Sequence, residues 1–402
     1  MKQFLVLSAL WCLVDAVAVD FDSFINSRRN PLMLTPYILD GKIQEGRKAA
    51  RVQPFVDGVE SYSGFLTVNA SSNGNLFFWY FPAENAPETA PVMIWLQGGP
   101  GCSSMVGLFM EHGPLQLNDD LRVVKRPTRW SQNIHMIYVD SPFGAGFSFS
   151  DPSGLAKNER EISTNLYNGL LQFFELFPEL SENDFFVAGE SYAGRYVPAL
   201  ADRIHRENLH AGTKINMKGL AIGDGVVDDT YKYLKVLGHC GKDDAIDPID
   251  DDEIGLLLDE YLRRVDVQNR IHVTGTPFSF CNDEILQLVV EYDSNTHVAP
   301  WVEELLNYYP VLYYHGKKDC RLNYRGTVDF AKTLVWSGCH EYRSAEWMKW
   351  YVNGAYSGDF KTGGNLTVLL INDAHHLVPM YQPERAHVMI EKFVRGEPLM
   401  YV

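Results

Sequence analysis

The sequence predicts an α/β fold, a mostly parallel central sheet with helices on both faces and a short cap insertion between its strands. Three observations point there. Short continuous apolar runs, each the length of a buried strand, recur along the 402 residues. Segments of helical period stand between them. The alternation is interrupted from Val226 to about Pro300, where an acidic run replaces it. A hydrophobic share of 46% is ample for one large core.

The elements follow in chain order. Lys2, the apolar run Phe4 to Val14 and the small-x-small Ala16-Val17-Ala18 read as a signal peptide over residues 1–18. Tyr62–Asn69, then Asn73-Gly74 and Leu76–Phe81, read as an antiparallel hairpin opening the sheet. Buried strands are expected at Val92–Leu96, Met136–Val139, Phe185–Ala188, Leu220–Ile222, Val311–Tyr314 and Leu366–Ile371. Ile162, Leu166, Leu170, Phe173, Phe174 and Phe177 recur at helical spacing, and Pro178 closes that helix. A last helix, Glu384–Arg395, ends at Gly396. Residues 19–225 and 301–402 therefore form the core. Residues 226–300, with the acidic run Asp243–Glu253 and a helix near Ile254–Val265, form a shortened cap.

Charge narrows the class. A formal net charge of −16 excludes nucleic acid as a partner, because phosphates would be repelled. After the signal, no stretch has the roughly 18 uninterrupted apolar residues of a membrane span. The signal and the sequons at Asn69 and Asn365 imply the secretory pathway, with glycosylation and an extracellular or lysosomal destination. Once Cys12 leaves with the signal, Cys102, Cys240, Cys281, Cys320 and Cys339 remain. That number is odd, so at least one is unpaired or bonded elsewhere.

The sharpest chemical signal is Phe185-Phe186-Val187-Ala188-Gly189-Glu190-Ser191-Tyr192-Ala193-Gly194. A buried strand runs into Gly-x-Ser-x-small and then into a helical stretch, Tyr192–His205. This is the nucleophile elbow of an α/β-hydrolase, whose turn is so tight that the residues two before and two after the serine must be small. A serine that merely caps a helix would need no such strand before it. A hydroxyl needs a base, and the base an orienting carboxylate. In this fold the acid comes next in the chain and the histidine last. The strand at Val311–Tyr314 leads to Asp319, and the strand at Leu366–Ile371 leads to His375 and His376, two candidate bases. Alone, Asp319 would be a turn residue and the histidines a surface loop. Their order behind Ser191 makes them a triad. Gln97-Gly98-Gly99-Pro100-Gly101 follows a strand, and the N–H groups of Gly99 and Tyr192 are candidates for the oxyanion hole. The loop lacks the Gly-Lys-Ser/Thr ending of a phosphate site.

These motifs resemble the serine carboxypeptidases, the group that includes cathepsin A, and among them the vitellogenic-like carboxypeptidases. The resemblance rests on Trp95–Ser104, Glu111-His112-Gly113-Pro114, Asp140–Ser148, Gly189–Gly194, Gly316–Asp319 and His376–Pro379. It implies Ser191 as nucleophile, His376 as base and Asp319 as its orienter, with Gly99 and Tyr192 as oxyanion donors. It also implies a cluster that binds the substrate's terminal carboxylate: Gln97, Gly98, Glu111 and Glu190, with Trp95 beside them. Gln97 stands where many members carry Asn, His375 where the family usually has Gly, and Lys317 where Asp is frequent. A disulfide from Cys102 to Cys281 is implied as well.

The expected activity is a serine-type carboxypeptidase acting on peptide or protein C-termini, favoured in acid and needing no metal or cofactor. Two rivals share these residues: an acyltransferase or esterase on the same triad, and a non-catalytic lumenal binding protein. The carboxylate cluster argues against the first, and the intact triad against the second.

Overall fold

In a parallel strand covered on both faces, successive side chains enter two different cores. The computed structural model, which describes residues 30–212, 214–228, 251–293 and 296–399, shows this division throughout. Val92, Ile94 and Leu96 pack into one core with Val187, Ile222 and Tyr313. Met93 and Trp95 pack into the other with Ala188, Ala221 and Tyr314. The expected signal peptide, Cys240 and most of the acidic run lie outside the described residues.

The strands form one ten-stranded sheet. They are β1 (Tyr62–Asn69), β2 (Gly74–Phe81), β3 (Val92–Leu96), β4 (His135–Val139), β5 (Phe185–Glu190), β6 (Met217–Gly223), β7 (Val311–Gly316), β8 (Met348–Val352), β9 (Ala355–Gly363) and β10 (Leu366–Ile371). Their spatial order is β1-β2-β4-β3-β5-β6-β7-β10-β9-β8. The centre, from β4 to β10, is parallel, and an antiparallel pair closes each side. Every strand expected from the sequence is present. The β8–β9 hairpin at one edge is an addition, as is a two-stranded ribbon of Leu115–Leu117 and Val123–Lys125.

On one face lie α1 (Glu159–Leu176) and α2 (Ala193–Asn208). Asn158 starts α1 by accepting the N–H groups of Arg160 and Glu161, and Pro178 follows its end. The region expected as a cap contributes α3 (Asp251–Leu262), a short helix Val265–Arg270 and α4 (Asp283–Asp293). The helix expected near Ile254–Val265 is α3, which stops at Leu262; Arg264, extended at φ −65° and ψ 132°, separates it from the short helix that follows. The last helix, α5 (Pro383–Val394), covers the opposite face through Met389 and Ile390.

Candidate active site

Ser191 occupies the two-residue turn between β5 and α2, with φ at 61°. A left-handed serine is strained and persists only where its surroundings enforce it. Here they do. A Cβ at Gly189 would lie 2.5 Å from the Leu96 carbonyl oxygen, and one at Gly98 would lie 2.5 Å from the Tyr192 nitrogen. The Ser191 N–H donates to the Gly223 carbonyl, while the Ser191 carbonyl accepts from Gly194 and Val226, each at 2.9 Å. The half-buried Ser191 lines a cavity of about 360 Å³ together with Gly98, Gly99, Tyr192 and His376.

Asp319 and His376 come from the loops beyond β7 and β10, neighbouring parallel strands. Both are buried, and His376 Nδ1–H donates to Asp319 Oδ2 at 2.8 Å. Asp319 Oδ1 accepts the N–H groups of Arg321 and Leu322 at 2.8 and 3.0 Å. Burial would raise the Asp319 carboxyl, but the neighbouring His376 and His315 outweigh it and hold the group well below the usual carboxylate range. His375 points elsewhere. Its ring packs 4.8 Å from that of Tyr381, and it does not line the cavity.

The expected carboxylate cluster lies beside the elbow. Trp95 Nε1–H donates to Gln97 Oε1 at 2.9 Å, which turns the Gln97 amide nitrogen toward Glu190 Oε1 at 3.1 Å. Glu111 ends a π-helical turn, Gly107–Glu111, and is buried next to Glu190. Glu111 is raised to about 7, chiefly by burial. Glu190 is raised well above its ordinary value, by burial first and the charge of Glu111 second. With two carboxyls this close, ionising one opposes ionising the other, and the pair titrates as a unit. Trp95 stands beside these residues, fully buried, and its indole N–H orients Gln97.

The remaining residues frame this cavity. Cys102 and Cys281 form a disulfide, flanked by backbone bonds from Ser103 N–H to the Phe280 carbonyl and from Asn282 N–H to the Gly101 carbonyl. The glycine loop is therefore stapled to the segment that returns from the cap. Asp140 anchors the same loop from below, accepting the Ser103 hydroxyl at 2.6 Å and the Ser104 N–H at 2.9 Å. From α4, Asp293 pairs with Arg195 at 2.8 Å and accepts the Tyr192 hydroxyl at 3.2 Å. Cys320 is also disulfide-bonded, and Cys339 is free. Asn69 is half-buried at the end of β1, and Asn365 is exposed before β10. No helix among the described residues is long and apolar enough to cross a membrane.

Sequence reasoning missed two buried polar groups, Asp224 and His315, that lie behind Asp319 and His376. Each lies at the carboxyl end of a central strand, where ligands and catalytic groups gather in open α/β sheets. That position was the available signal.

The family model described as "Serine carboxypeptidase" matches residues 53–255 and 255–396. Vitellogenic carboxypeptidase of Aedes aegypti is 38% identical, the alignment covering 90% of this chain and 89% of that protein. Venom serine carboxypeptidase of Apis mellifera is 36% identical over 91% of each chain. Among solved structures, Kex1(Δ)p, a prohormone-processing carboxypeptidase from Saccharomyces cerevisiae, shares the fold with a TM-score of 0.77 at 19% identity. That match covers 87% of this chain and 96% of that one. This chain belongs to the serine carboxypeptidase family.

Proposed function

We propose that the chain releases C-terminal residues from peptides through an acyl-enzyme, with Ser191, His376 and Asp319 as its triad. Ser191 attacks the last peptide carbonyl while His376 takes its proton and then passes it to the leaving amine. Asp319 holds the imidazole in the required tautomer. The N–H groups of Gly99 and Tyr192 donate to the oxyanion. The carboxylate of the departing residue lies against Gln97, Gly98 and the Glu111–Glu190 pair.

One observation carries this reading: two carboxyls, Glu111 and Glu190, are buried side by side next to the elbow, and burial raises both. A protonated carboxyl donates a hydrogen bond to a substrate carboxylate, whereas an ionised one repels it. The pair counts against an esterase or acyltransferase, whose substrate need carry no free carboxylate. The cavity walls Val226, Ile254, Leu286 and Val290 are apolar and suit apolar side chains next to the scissile bond. The signal sequence and the sequons support passage through the secretory pathway to an extracellular or lysosomal site, where an acidic optimum would be of use.

The test is KM against pH for a blocked dipeptide with a free C-terminus, beside its amide. Glu111 ionises as pH rises through about 7, so KM for the acid is expected to climb above that value. Glu111→Gln should flatten the climb, and the amide should be turned over poorly at every pH. Equal turnover of acid and amide would favour the esterase or acyltransferase.

A further inference from the structure

The turn after β6 touches both halves of the catalytic apparatus. Through Gly223 and Val226 it is bonded to the backbone of Ser191 on each side. Through Asp224 it is bonded to the acid loop: Asp224 N–H donates to the Tyr314 carbonyl, and Asp224 Oδ1 accepts the Gly316 N–H, both at 2.9 Å. Asp224 is fully buried and has φ at 42°, a left-handed conformation that aspartate tolerates better than most residues but still at a cost. Strain of that kind is kept where the side chain is needed in one place.

The needed place faces Asp319. Donor and acceptor atoms of Asp224, Asp319 and His376 all lie within 4.8 Å of one another. Asp224 Oδ2 is buried and meets no donor from the protein. An ionised Asp224 would leave that oxygen unsatisfied and would set two anions together in a dry site, a costly arrangement. A carboxylic acid there removes both penalties, since its O–H becomes a donor and its charge is gone. His315 completes the group. The Leu322 carbonyl at 2.6 Å holds the proton on its Nε2, which also lies 3.2 Å from Asp319 Oδ2 and 3.4 Å from Asp224 Oδ1.

We propose that Asp224, with His315 beside it, is a positioning residue for the reaction: its carboxyl O–H donates to the Asp319 carboxylate and fixes that group toward His376. This rests on the reading of Asp319 and His376 as triad members. Burial, and then the charge of Asp319, push the Asp224 carboxyl well above its ordinary value, in accord with the neutral form. The titratable groups around it are Asp319 and His315 from the β7 end, His376 from the β10 loop, Glu190 from β5, Glu111 from the π-helical turn, and Tyr314 from β7. The carboxylates among them oppose its ionisation. When Asp224 does ionise at high pH, the donor is lost and kcat should fall.

The experiment compares Asp224→Asn and Asp224→Ala with the wild-type chain. The amide keeps the shape, an acceptor for Gly316 and an N–H for Asp319, but does not titrate. Asp224→Asn should hold kcat within about threefold of wild type at pH 5 and sustain it to higher pH, with KM following the wild-type curve. Asp224→Ala should lose about 30-fold in kcat with little change in KM, the scale of one buried charge-assisted donor. A second readout needs no substrate: the far-downfield proton resonance of His376 Nδ1–H should persist in Asp224→Asn and be lost or displaced in Asp224→Ala. If the alanine variant fails to fold, the asparagine profile still decides. Superimposable pH profiles for Asp224→Asn and wild type, or equal losses in both variants, would overturn the assignment. If no free-acid peptide is hydrolysed by the wild type, the carboxypeptidase mechanism fails separately, and the resonance alone judges Asp224.

Discussion

His375 and His376 are adjacent and chemically identical in sequence, yet they occupy unlike environments. One hydrogen bond separates them: His376 Nδ1 donates to Asp319 Oδ2 at 2.8 Å, while His375 packs against Tyr381. Replacing His376 by alanine should therefore cost about 10⁴-fold in kcat or more, as loss of a triad member does. His375→Gly should cost less than about tenfold, because its ring is packing and lines no part of the cavity. Turnover with blocked dipeptides, together with organophosphonate labelling of Ser191, checks both. A larger loss in His375→Gly than in His376→Ala would move the base by one residue. The same contrast marks how far the residues could be read in advance. Ser191 was legible because small neighbours at fixed spacing betray a tight turn. Glu111 and Glu190 were legible through family resemblance alone, since nothing local says that residues 79 positions apart share a proton. Asp224 offered only its place at the end of a central strand. Its positive φ and the neighbours brought from β7 and the β10 loop have no mark in sequence.

At the scale of elements, the central strands were plain because burial on both faces makes them continuous apolar runs. The β8–β9 hairpin escaped notice for the opposite reason. Met348–Val352 mixes lysine with aromatics, and Ala355–Gly363 is largely polar, as an edge pair with a solvated face should be. Asn353-Gly354, with φ at 50° and 75°, was the turn signal that could have found it. The break at Arg264 has no comparable mark in sequence. How the cap return segment meets the glycine loop was legible only through the resemblance, which implied the Cys102–Cys281 bond, and this contact carries its own expectation. The Cys102–Cys281 bond spans a sequence separation of 179, and closing so long a loop is worth on the order of 5 kcal/mol in the chain-entropy view. Changing both cysteines to serine should lower the melting temperature by several degrees. It should also reduce kcat, because Gly99 belongs to the stapled loop and a Cβ built on it would meet Cys102 Sγ at 2.8 Å. The two backbone bonds beside the disulfide remain, so the loop should loosen rather than detach. A lower melting temperature with unchanged kcat would limit the staple to stability.

Over the whole molecule, buried acids set the pH at which the fold is most stable. Glu159, Glu190 and Asp224 are raised well above their ordinary values, Glu111 to about 7 and Asp140 to about 6, burial being the first cause in each. The folded chain thus holds protons that the unfolded chain releases near pH 4. Stability from these groups is complete below the unfolded values and is lost as pH rises through the folded ones, at about 1.4 kcal/mol per pH unit for each extra proton held. Two kinds of group oppose this at lower pH. His112, His135 and His272 are lowered by burial, so the folded state resists charging them below about pH 6.5. Asp319 is lowered too, and its contribution disappears below the usual carboxylate range. Above pH 6.5 more than half of each opposing histidine is already neutral in the unfolded chain, and by about pH 7.5 the raised acids act alone. The formal charge of −16 adds self-repulsion in the same direction. The apparent melting temperature should therefore fall between pH 6.5 and 8.5, by about 5 °C if even one group counts in full. Glu159 isolates the cause, since it is buried beside Asp293 at the start of α1 and outside the active-site cavity. Glu159→Gln should raise the melting temperature at pH 8.5 and flatten the slope, with kcat at pH 5 close to wild type. Thermal scans of both chains at fixed ionic strength measure this, and a melting temperature that climbs over the same interval would show that the buried acids do not govern stability.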